Sequence, residues 1–354
     1  MNYVLFNCEK KYVKKFINFS KKLYKKYNNE NSNELKSLLL GKHPLCKYFK
    51  LYKFLIYEKN KVVGRFAITI YPNDDTAYIG FFECINDNEV AKFIFDTANK
   101  FAKENNYKRI VGPVDASFWL KYRLKINMFD KAPYTGEPYN KDYYYKMFLD
   151  NNYKVIEHYT SNIYEHIDNN YENEFYSNRY NSFIEKEYKI ESPNMDEFER
   201  ILKELYSLLT KLYSDFPIYK HLSEEDFINI FKEYKKIMNP EMIKLAYYNN
   251  KMVGFYISVP NYNNLVYNIN IINLIKILKI KNKPKEYVML YMGVDQEHRG
   301  LGKAIVYSIM TELMKSKLPS IGALARDGKV TQNYVEELIK DRYEYVLLER
   351  KLND

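Results

Sequence analysis

The sequence predicts an α/β (α+β) fold in which one arrangement of strands and helices is used twice. Three observations support this prediction. The chain of 354 residues is longer than one ordinary core requires, a hairpin pattern occurs in each half, and similar elements follow each hairpin. Apolar residues make up 46% of the chain and charged residues 28%, which is typical of a globular protein.

The two hairpin patterns are YEKNKVVGRFAI at 57–68 and YYNNKMVGFYIS at 247–258. In both, a polar Asn-Lys turn separates apolar runs and is followed by Val-Gly, which is a β-hairpin signature. A second apolar strand comes after each hairpin, YIGFFECI at 78–85 and YVMLYMGV at 287–294. The two halves therefore begin their central sheets in the same way.

Helical periodicity follows each central strand. In both halves apolar residues recur at helical spacing, on stripes formed by Val90, Ile94, Ala98 and Phe101 and by Ile305, Ile309 and Leu313. A further strand is predicted after each helix, at 107–114 and 320–326, and helices are predicted upstream at 9–27 and 195–213. Each half ends in another helix and a strand in this interpretation.

The polar, Asn-rich stretch 166–188 has weak periodicity, and we place the connection between the halves there. The predicted organisation is a first domain at 1–165, a linker at 166–188 and a second domain at 189–354.

Composition limits the functional classes. The net charge of +10 is compatible with an anionic partner, although a solvated lysine-rich surface explains it as well. The three cysteines and five histidines are scattered, so neither a metal site nor a disulfide framework is expected. We find no signal-peptide pattern and no run long enough to span a bilayer, so a cytoplasmic protein without stable membrane insertion is expected.

The most informative motif is RGLGKA at 299–304, which lies between a predicted strand and a predicted helix. The first turn of a helix has N–H groups without internal partners and carries the positive end of the helix dipole. Gly300 and Gly302 allow an anion to approach these groups, and Arg299 and Lys303 add positive charge. The alternative is a glycine turn that only reverses the chain.

The equivalent turn of the first half, CINDNEVAKF, serves as an internal control. Asn86 is predicted to cap the helix with Glu89 three residues later, and Asp87 adds a second acid. This turn would therefore exclude an anion, whereas the turn at 299–304 would accept one.

RGLGKA matches the R/Q-x-x-G-x-G/A signature of the GNAT N-acyltransferase superfamily. The whole chain resembles tandem bacterial proteins with two GNAT domains, through GFFECINDNEVAKFIFD, RIVGPVD and EPYNKDYYYKMFLDNNY in the first half and GFYISVPNYN and GVDQEHRG in the second. The resemblance implies two GNAT-like domains, each a mixed, mostly antiparallel twisted sheet flanked by helices.

The resemblance also implies that the second half binds acetyl-CoA or another acyl-CoA and transfers the acyl group to an amine. The diphosphate would bind the turn and the pantetheine would lie along the central strand, which gives the expected cofactor residues Met292, Gly293, Val294, Arg299, Gly300, Leu301, Gly302, Lys303 and Ala304. The expected acceptor is a small-molecule or peptide amine rather than nucleic acid, and a homodimer is compatible with the sequence.

The catalytic residues depart from the family pattern. Many members have an Asn early in the last helix and a Tyr about seven residues later. Here Gly328 occupies the expected Asn position, and a shift of register to Asn333 puts Lys340 where Tyr is expected. Tyr334 is the nearest candidate acid on this predicted helix, with packing as its alternative role, and Tyr343 lies beyond it.

The sequence does not point to any one carboxylate as the general base. Asp295 and Glu286 flank the central strand, but both could equally be solvated residues at its ends, and water could act as the base instead.

Two irregular regions leave alternatives open. Residues 264–287 are apolar and end in lysines. This pattern fits a lid over an apolar acceptor or a surface that touches a membrane, but we favour an insertion that covers the sheet. Residues 112–145 are rich in Pro and Tyr and would form either a binding site or a packed edge.

Two other functions compete with the acyltransferase hypothesis. Aminoacyl-tRNA-dependent ligases that build peptidoglycan bridges also pair two GNAT-like domains, although they generally lack an intact diphosphate turn. A non-catalytic sensor of acyl-CoA is compatible with the missing Asn and Tyr.

Overall fold

The computed structural model describes residues 1–24, 27, 30–214, 216, 218–267 and 270–352. The predicted helix at 9–27 and the segment 264–287 therefore each include positions outside the described residues. The elements alternate in the α/β manner that the sequence predicts. The helices are α1 Lys10–Leu23, α2 Ser32–Leu39, α3 Asn88–Glu104, α4 Tyr144–Asp150, α5 Glu174–Ile184, α6 Phe198–Tyr213, α7 Glu224–Phe231, α8 Ile271–Asn282 and α9 Leu301–Ser316.

The strands are β1 Asn2–Phe6, β2 Lys50–Glu58, β3 Lys61–Ile70, β4 Thr76–Cys84, β5 Arg109–Gly112, β6 Val114–Asp115, β7 Lys121–Tyr122, β8 Leu124–Lys125, β9 Lys154–Tyr164, β10 Lys189–Glu191, β11 Ile243–Tyr248, β12 Lys251–Pro260, β13 Tyr287–Val294, β14 Ser320–Arg326 and β15 Ile339–Lys351. The described residues form one large, mostly antiparallel sheet of 13 strands, and β6 and β7 pair separately.

Both predicted hairpins are confirmed. β2 pairs with β3 and β11 with β12, and the turns contain Lys59, Asn249 and Asn250 with φ between 49° and 59°. Asn adopts the left-handed region more readily than most residues, because its short polar side chain can bond locally. Each turn therefore sets how the two strands that it joins pair with each other.

The two halves share their last strands. β15, from the second half, lies between β5 and β9 of the first half and pairs with both, with Leu348 opposite Gly112 and Tyr345 opposite Tyr159. β9 in turn pairs with β14 of the second half, with Ile163 opposite Ile321. Each half thus completes its sheet with a strand from the other half.

A buried polar network holds this exchange in place. Lys125 on β8 forms an ion pair with Glu137 at 2.7 Å, and both side chains are 0% exposed. The Tyr345 hydroxyl on β15 donates to Glu137 at 2.8 Å, and the Tyr134 hydroxyl lies 2.8 Å from Ser161 on β9. Part of the irregular region 112–145 is therefore a packed joint between the halves.

The hydrophobic core has three clusters. One lies between the first-half sheet and α3 and α4, and another lies between the second-half sheet and α5 and α9. The largest cluster covers the opposite face of the sheet and contains residues from both halves, such as Phe16 and Leu205. The halves consequently share core as well as strands.

Two predicted segments differ in the structure. The stretch 166–188 contains helix α5, which packs along α9, although its sequence has weak periodicity. The predicted last helix is absent: residues 330–333 and 336–338 form only 3₁₀ turns. Val335 between them has φ 51°, and its N–H donates to the Tyr176 hydroxyl of α5, so tertiary contacts replace the helical hydrogen bonds.

No helix among the described residues has the length and apolar character needed to cross a bilayer. The boundaries 1–165, 166–188 and 189–354 stay a prediction, because the exchange of strands crosses them.

The buried pair at the joint leads to a stability prediction. Lys125→Met leaves the Glu137 carboxylate buried without its cation, so the free energy of unfolding should fall by about 3–5 kcal/mol in a chemical denaturation measurement. Replacing both partners, with Lys125→Met and Glu137→Leu, should recover part of this loss.

The matched control is Lys92→Met, which breaks an ion pair with Asp96 whose side chains are 62% and 54% exposed. This exposed pair should contribute less than about 1 kcal/mol. Equal losses for Lys125→Met and Lys92→Met would contradict the role given to the buried network.

Candidate functional site

The site begins where two parallel strands separate. β13 and β14 pair only at Tyr287–Ser320, Val288–Ile321 and Met289–Gly322. Beyond this point β13 continues to pair with β12 on one edge, with Tyr256 opposite Met292. Among the described residues no strand pairs with its other edge at 290–294, so main-chain groups there face open space.

A cavity of about 580 Å³ occupies the space next to this separation. Its walls include Met292, Gly293 and Val294 from β13 and Gly322 to Arg326 from β14. The first half contributes a further wall at 118–123, and α6 contributes another. The remainder of the irregular region 112–145 thus lies at a cavity between the halves.

The turn at 299–304 lies at the end of β13, where α9 begins. Gly300 precedes the helix with φ 90°, a conformation that strongly favours glycine. No side chain caps this helix. The Leu301 N–H donates to His298 O and the Lys303 N–H to Gly300 O, but the N–H groups of Gly300 and Gly302 have no partner among the described residues.

Three cationic residues lie on or beside the turn with these free N–H groups. Arg299 and Lys303 lie on the turn itself, and the Arg179 guanidinium from α5 lies about 3.6 Å from the position of a Cβ on Gly300. Lys303 Nζ also lies 4.2 Å above the Phe175 ring. Within the described part of the chain, none of the three cations forms an ion pair with a carboxylate.

Arg179 is a site residue that the sequence interpretation missed. It falls in the stretch assigned to the linker, and its position depends on α5 packing against α9. The local sequence, FYSNRY at 175–180, places Arg179 among aromatic residues, but this pattern is not specific enough to predict the contact with the turn.

The equivalent region of the first half is closed by the chain itself. β4 and β5 also separate after three pairs, the last being Tyr78–Val111, but β6 then packs against β4. A Cβ on Gly80 would lie 1.8 Å from Val114 O, so only glycine permits this approach. Asp115 accepts a hydrogen bond from the Phe81 N–H, which satisfies a main-chain group that the separation would otherwise leave free.

The helix that follows β4 is capped by a carboxylate. The Asp87 side chain accepts hydrogen bonds from the N–H groups of Glu89 and Val90 at 2.8 and 3.2 Å. The predicted capping residue Asn86 was therefore wrong by one position, since α3 begins at Asn88. The physical consequence is the same, because an acidic side chain occupies the free N–H groups at the start of α3.

Tyr334 lies next to the turn and not on a helix. Its hydroxyl is 2.4 Å from the position that a Cβ on Gly302 would take, and its carbonyl accepts a hydrogen bond from the Tyr164 hydroxyl. Burial raises the pKa of Tyr334 to about 12. Tyr343 lies on β15, 4% exposed, in the core.

The two carboxylates that flank the central strand, Asp295 and Glu286, both have hydrogen-bond partners within the protein. Burial alone would raise the pKa of Asp295, but Lys211, which donates to both of its oxygens at 2.9 and 2.8 Å, holds that pKa below its usual range. Glu286 accepts a hydrogen bond from Asn261, and burial raises its pKa. Among the described residues that line the cavity there is no Asp or Glu.

The cavity instead contains a cation without a carboxylate partner among the described residues. The Arg123 guanidinium lies between the rings of Tyr122 and Tyr159, 3.8 and 4.2 Å from their centres. Its Nε is buried without a hydrogen bond, and the residue has φ 90°. Strain of this kind in a non-glycine residue is frequent at binding sites.

Among the described residues no group of three or more His, Cys, Asp or Glu could hold a metal ion.

Comparison with solved structures identifies the fold. A tandem GNAT protein from the clavulanic acid biosynthesis pathway matches over 100% of this chain and 99% of its own, with a TM-score of 0.53 and 8% identity. A GCN5-related N-acetyltransferase from Sphaerobacter thermophilus matches over 99% of this chain and 96% of its own, with a TM-score of 0.50 and 8% identity. Another from Anabaena variabilis matches over 99% and 73%, with a TM-score of 0.51 and 8% identity.

No protein-family model matches the sequence, and no curated protein matches it. At 8% identity the structural likeness concerns the fold and not the substrate. The likeness extends over both halves, as the resemblance in the sequence predicts. The chain therefore has the tandem GNAT fold.

Proposed function

We propose that the protein is an N-acyltransferase that uses acetyl-CoA or another acyl-CoA and transfers the acyl group to an amine. The observation that carries this proposal is the difference between the halves. In the second half the strand edge and the helix start are both open, and in the first half β6 and Asp87 fill the equivalent positions.

The described residues fit an acyl-CoA. The free N–H groups of Gly300 and Gly302, with Arg179, Arg299 and Lys303, suit a diphosphate. The open edge of β13 at Met292 to Val294 offers main-chain groups to the amides of pantetheine. When bound, the thioester would supply an activated acyl group, and the rest of the chemistry falls to the protein and the acceptor.

The amine would reach the thioester through the cavity between the halves. Positioning the two reactants is the main contribution that the site can make, since the lining contains no carboxylate base among the described residues. In this proposal the amine enters neutral, or water accepts its proton. If the acceptor amine also carries an anionic group, the Arg123 guanidinium in the cavity would bind that group.

The position of Tyr334 favours a role in binding the cofactor. Its hydroxyl lies beside Gly302, at the turn that would hold the diphosphate. Its role as the acid that protonates the thiolate stays a prediction, and the two roles differ in their kinetic effects.

The first test of the proposal is binding of acetyl-CoA, measured by isothermal titration calorimetry. Gly302→Asp should abolish binding, because it adds a carboxylate beside the free N–H groups and forces a side chain against Tyr334. An acidic residue at a helix N-terminus does not weaken the helix, but the hydroxyl end of Tyr334 must move to admit the new side chain, so circular dichroism checks that the variant folds.

Asn88→Asp is the matched control, since it adds the same charge to the first turn of α3 in the first half. It should leave the affinity for acetyl-CoA unchanged. Absence of binding to the wild-type protein would refute the proposal, and equal effects of the two variants would refute the assignment to the second half. Release of thiol with a panel of amines then separates an enzyme from a sensor.

A second prediction concerns Arg179. Arg179→Gln should weaken acetyl-CoA binding by about tenfold, corresponding to about 1.4 kcal/mol for a lost contact with phosphate. It should leave inhibition by acetyl-pantetheine, which has no diphosphate, unchanged. Lys100→Gln, which removes an exposed charge from α3, is the control and should alter neither ligand.

A third prediction separates the two roles of Tyr334. For a residue that binds the cofactor, Tyr334→Phe should raise KM for acetyl-CoA by about fivefold, the effect of one hydrogen bond, and leave kcat within about twofold. A large fall in kcat with KM unchanged would instead identify Tyr334 as the proton donor. Both constants come from steady-state thiol release.

A further inference from the structure

Helix α8 has an apolar face with no protein partner among the described residues. Ile271 is 79% exposed and Ile272 66%, and Leu274, Ile275 and Leu278 are 47–49% exposed. These five residues are a third of the 15 large apolar side chains that the described surface exposes, although α8 has only 12 residues. Contiguous exposed apolar surface of this kind marks an interaction site.

The orientation of α8 is fixed by its opposite face. Ile277 is buried at 4%, and Asn270 caps the helix by accepting a hydrogen bond from the Asn273 N–H at 2.8 Å. Ile271, Leu274, Ile275 and Leu278 follow the i, i+3, i+4, i+7 spacing and form one stripe away from Ile277. We call these four residues, with Ile272 beside them, the outer stripe. The sequence interpretation favours an insertion that covers the sheet. Ile277 and Ile280 do pack into the core, while the outer stripe faces outwards.

Lysines border the outer stripe on both sides. Lys279 follows Ile275 by four residues on one border, and Lys281 follows Leu278 by three on the other. Lys276, Lys283 and Lys285 add to this charge, and no Asp or Glu occurs from 242 to 285. Lys281 Nζ donates to Lys236 O at 3.0 Å, so the segment 232–237 lies alongside; it has three lysines and one carboxylate, Glu233, which pairs with Lys236.

We propose that α8 docks in the plane of a membrane surface that contains anionic phospholipid. The outer stripe enters the boundary between headgroups and acyl chains, and the bordering lysines extend their ammonium groups to lipid phosphates. This combination of an apolar stripe and flanking lysines, with no carboxylate on α8 itself, is complementary to a negatively charged bilayer. The docked helix lies on the bilayer without crossing it.

A second copy of the chain suits this surface less well. A two-fold interface would bring the same stripe and the same lysines of both copies together, and like charges would repel at both borders. No carboxylate lies between 242 and 285 to offset that repulsion. An anionic bilayer supplies the opposite charge on all sides of the stripe.

The test is flotation of the full-length wild-type protein with vesicles of phosphatidylcholine, alone or mixed with phosphatidylglycerol. The protein should float with the mixed vesicles and much less with phosphatidylcholine alone, and added salt should weaken binding. Amide hydrogen exchange in α8 should slow when the mixed vesicles are present. The measurement uses no acyl-CoA, so its outcome is independent of the proposed enzymatic activity.

Two sets of variants separate the apolar and the charged contributions. Changing Ile271, Ile275 and Leu278 to Ser should reduce vesicle binding at least tenfold without lowering the thermal stability, because these side chains are already exposed. Changing Lys276, Lys279 and Lys281 to Gln should remove the preference for phosphatidylglycerol.

The controls are Leu149→Ser with Val155→Ser, two exposed apolar residues of the first half, and Lys92, Lys100 and Lys103 changed to Gln on α3. Neither control should change binding. Failure of the wild-type protein to float with either vesicle would overturn the proposal. So would a dimer in analytical ultracentrifugation that the Ser variant dissociates, since the stripe would then join two copies.

Discussion

The architecture of the site depends on the point at which β13 and β14 stop pairing. Three residue pairs hold the parallel strands together, and beyond Met289 the strands part. A strand that loses its neighbour leaves main-chain groups that need another partner, and in most proteins water or another segment provides one. Here the gap opens towards a cavity, and the same strand leads directly to the uncapped start of α9.

The first half shows what happens when the same gap is filled from within. The chain turns after β5 and returns as β6, so close to Gly80 that a single added methyl group would collide with the backbone. Asp115 and Asp87 then satisfy the main-chain groups that the second half leaves free. The two halves therefore share an arrangement of strands but differ in what occupies the space between them. The first half supports the cavity wall and the joint between halves.

Local patterns in the sequence predicted the elements, and tertiary contacts decided what the sequence could not. The hairpin turns and the amphipathic helices α3 and α9 follow from nearest neighbours along the chain, so they were predictable. The partners of β15 were not predictable, because the residues of a strand do not specify which sheet edge it pairs with, and β15 pairs with strands of the other half. At the capping position the error was one residue, since Asn86 and Asp87 have similar capping chemistry.

The misassigned segments share a physical cause. Residues 327–338 have helical spacing, but Tyr176, Asn162 and Tyr164 take up main-chain groups of Val335, Gln332 and Tyr334 that a helix would need. Arg179 reaches the turn only because α5 packs against α9, and weak periodicity conceals that helix. The turn residues at 299–304 were recognisable because glycine and cation spacing is a local property.

The position of β15 has a consequence for synthesis. This strand follows every other described element, yet it fills the space between β5 and β9, which are synthesised well before it. Until the second half is made, β5 lacks a partner on one edge and β9 lacks both of its partners, β15 and β14. Such unpaired edges are prone to pair with other chains. The first half therefore cannot complete its sheet by itself, and a gene cut between its halves would encode two incomplete sheets.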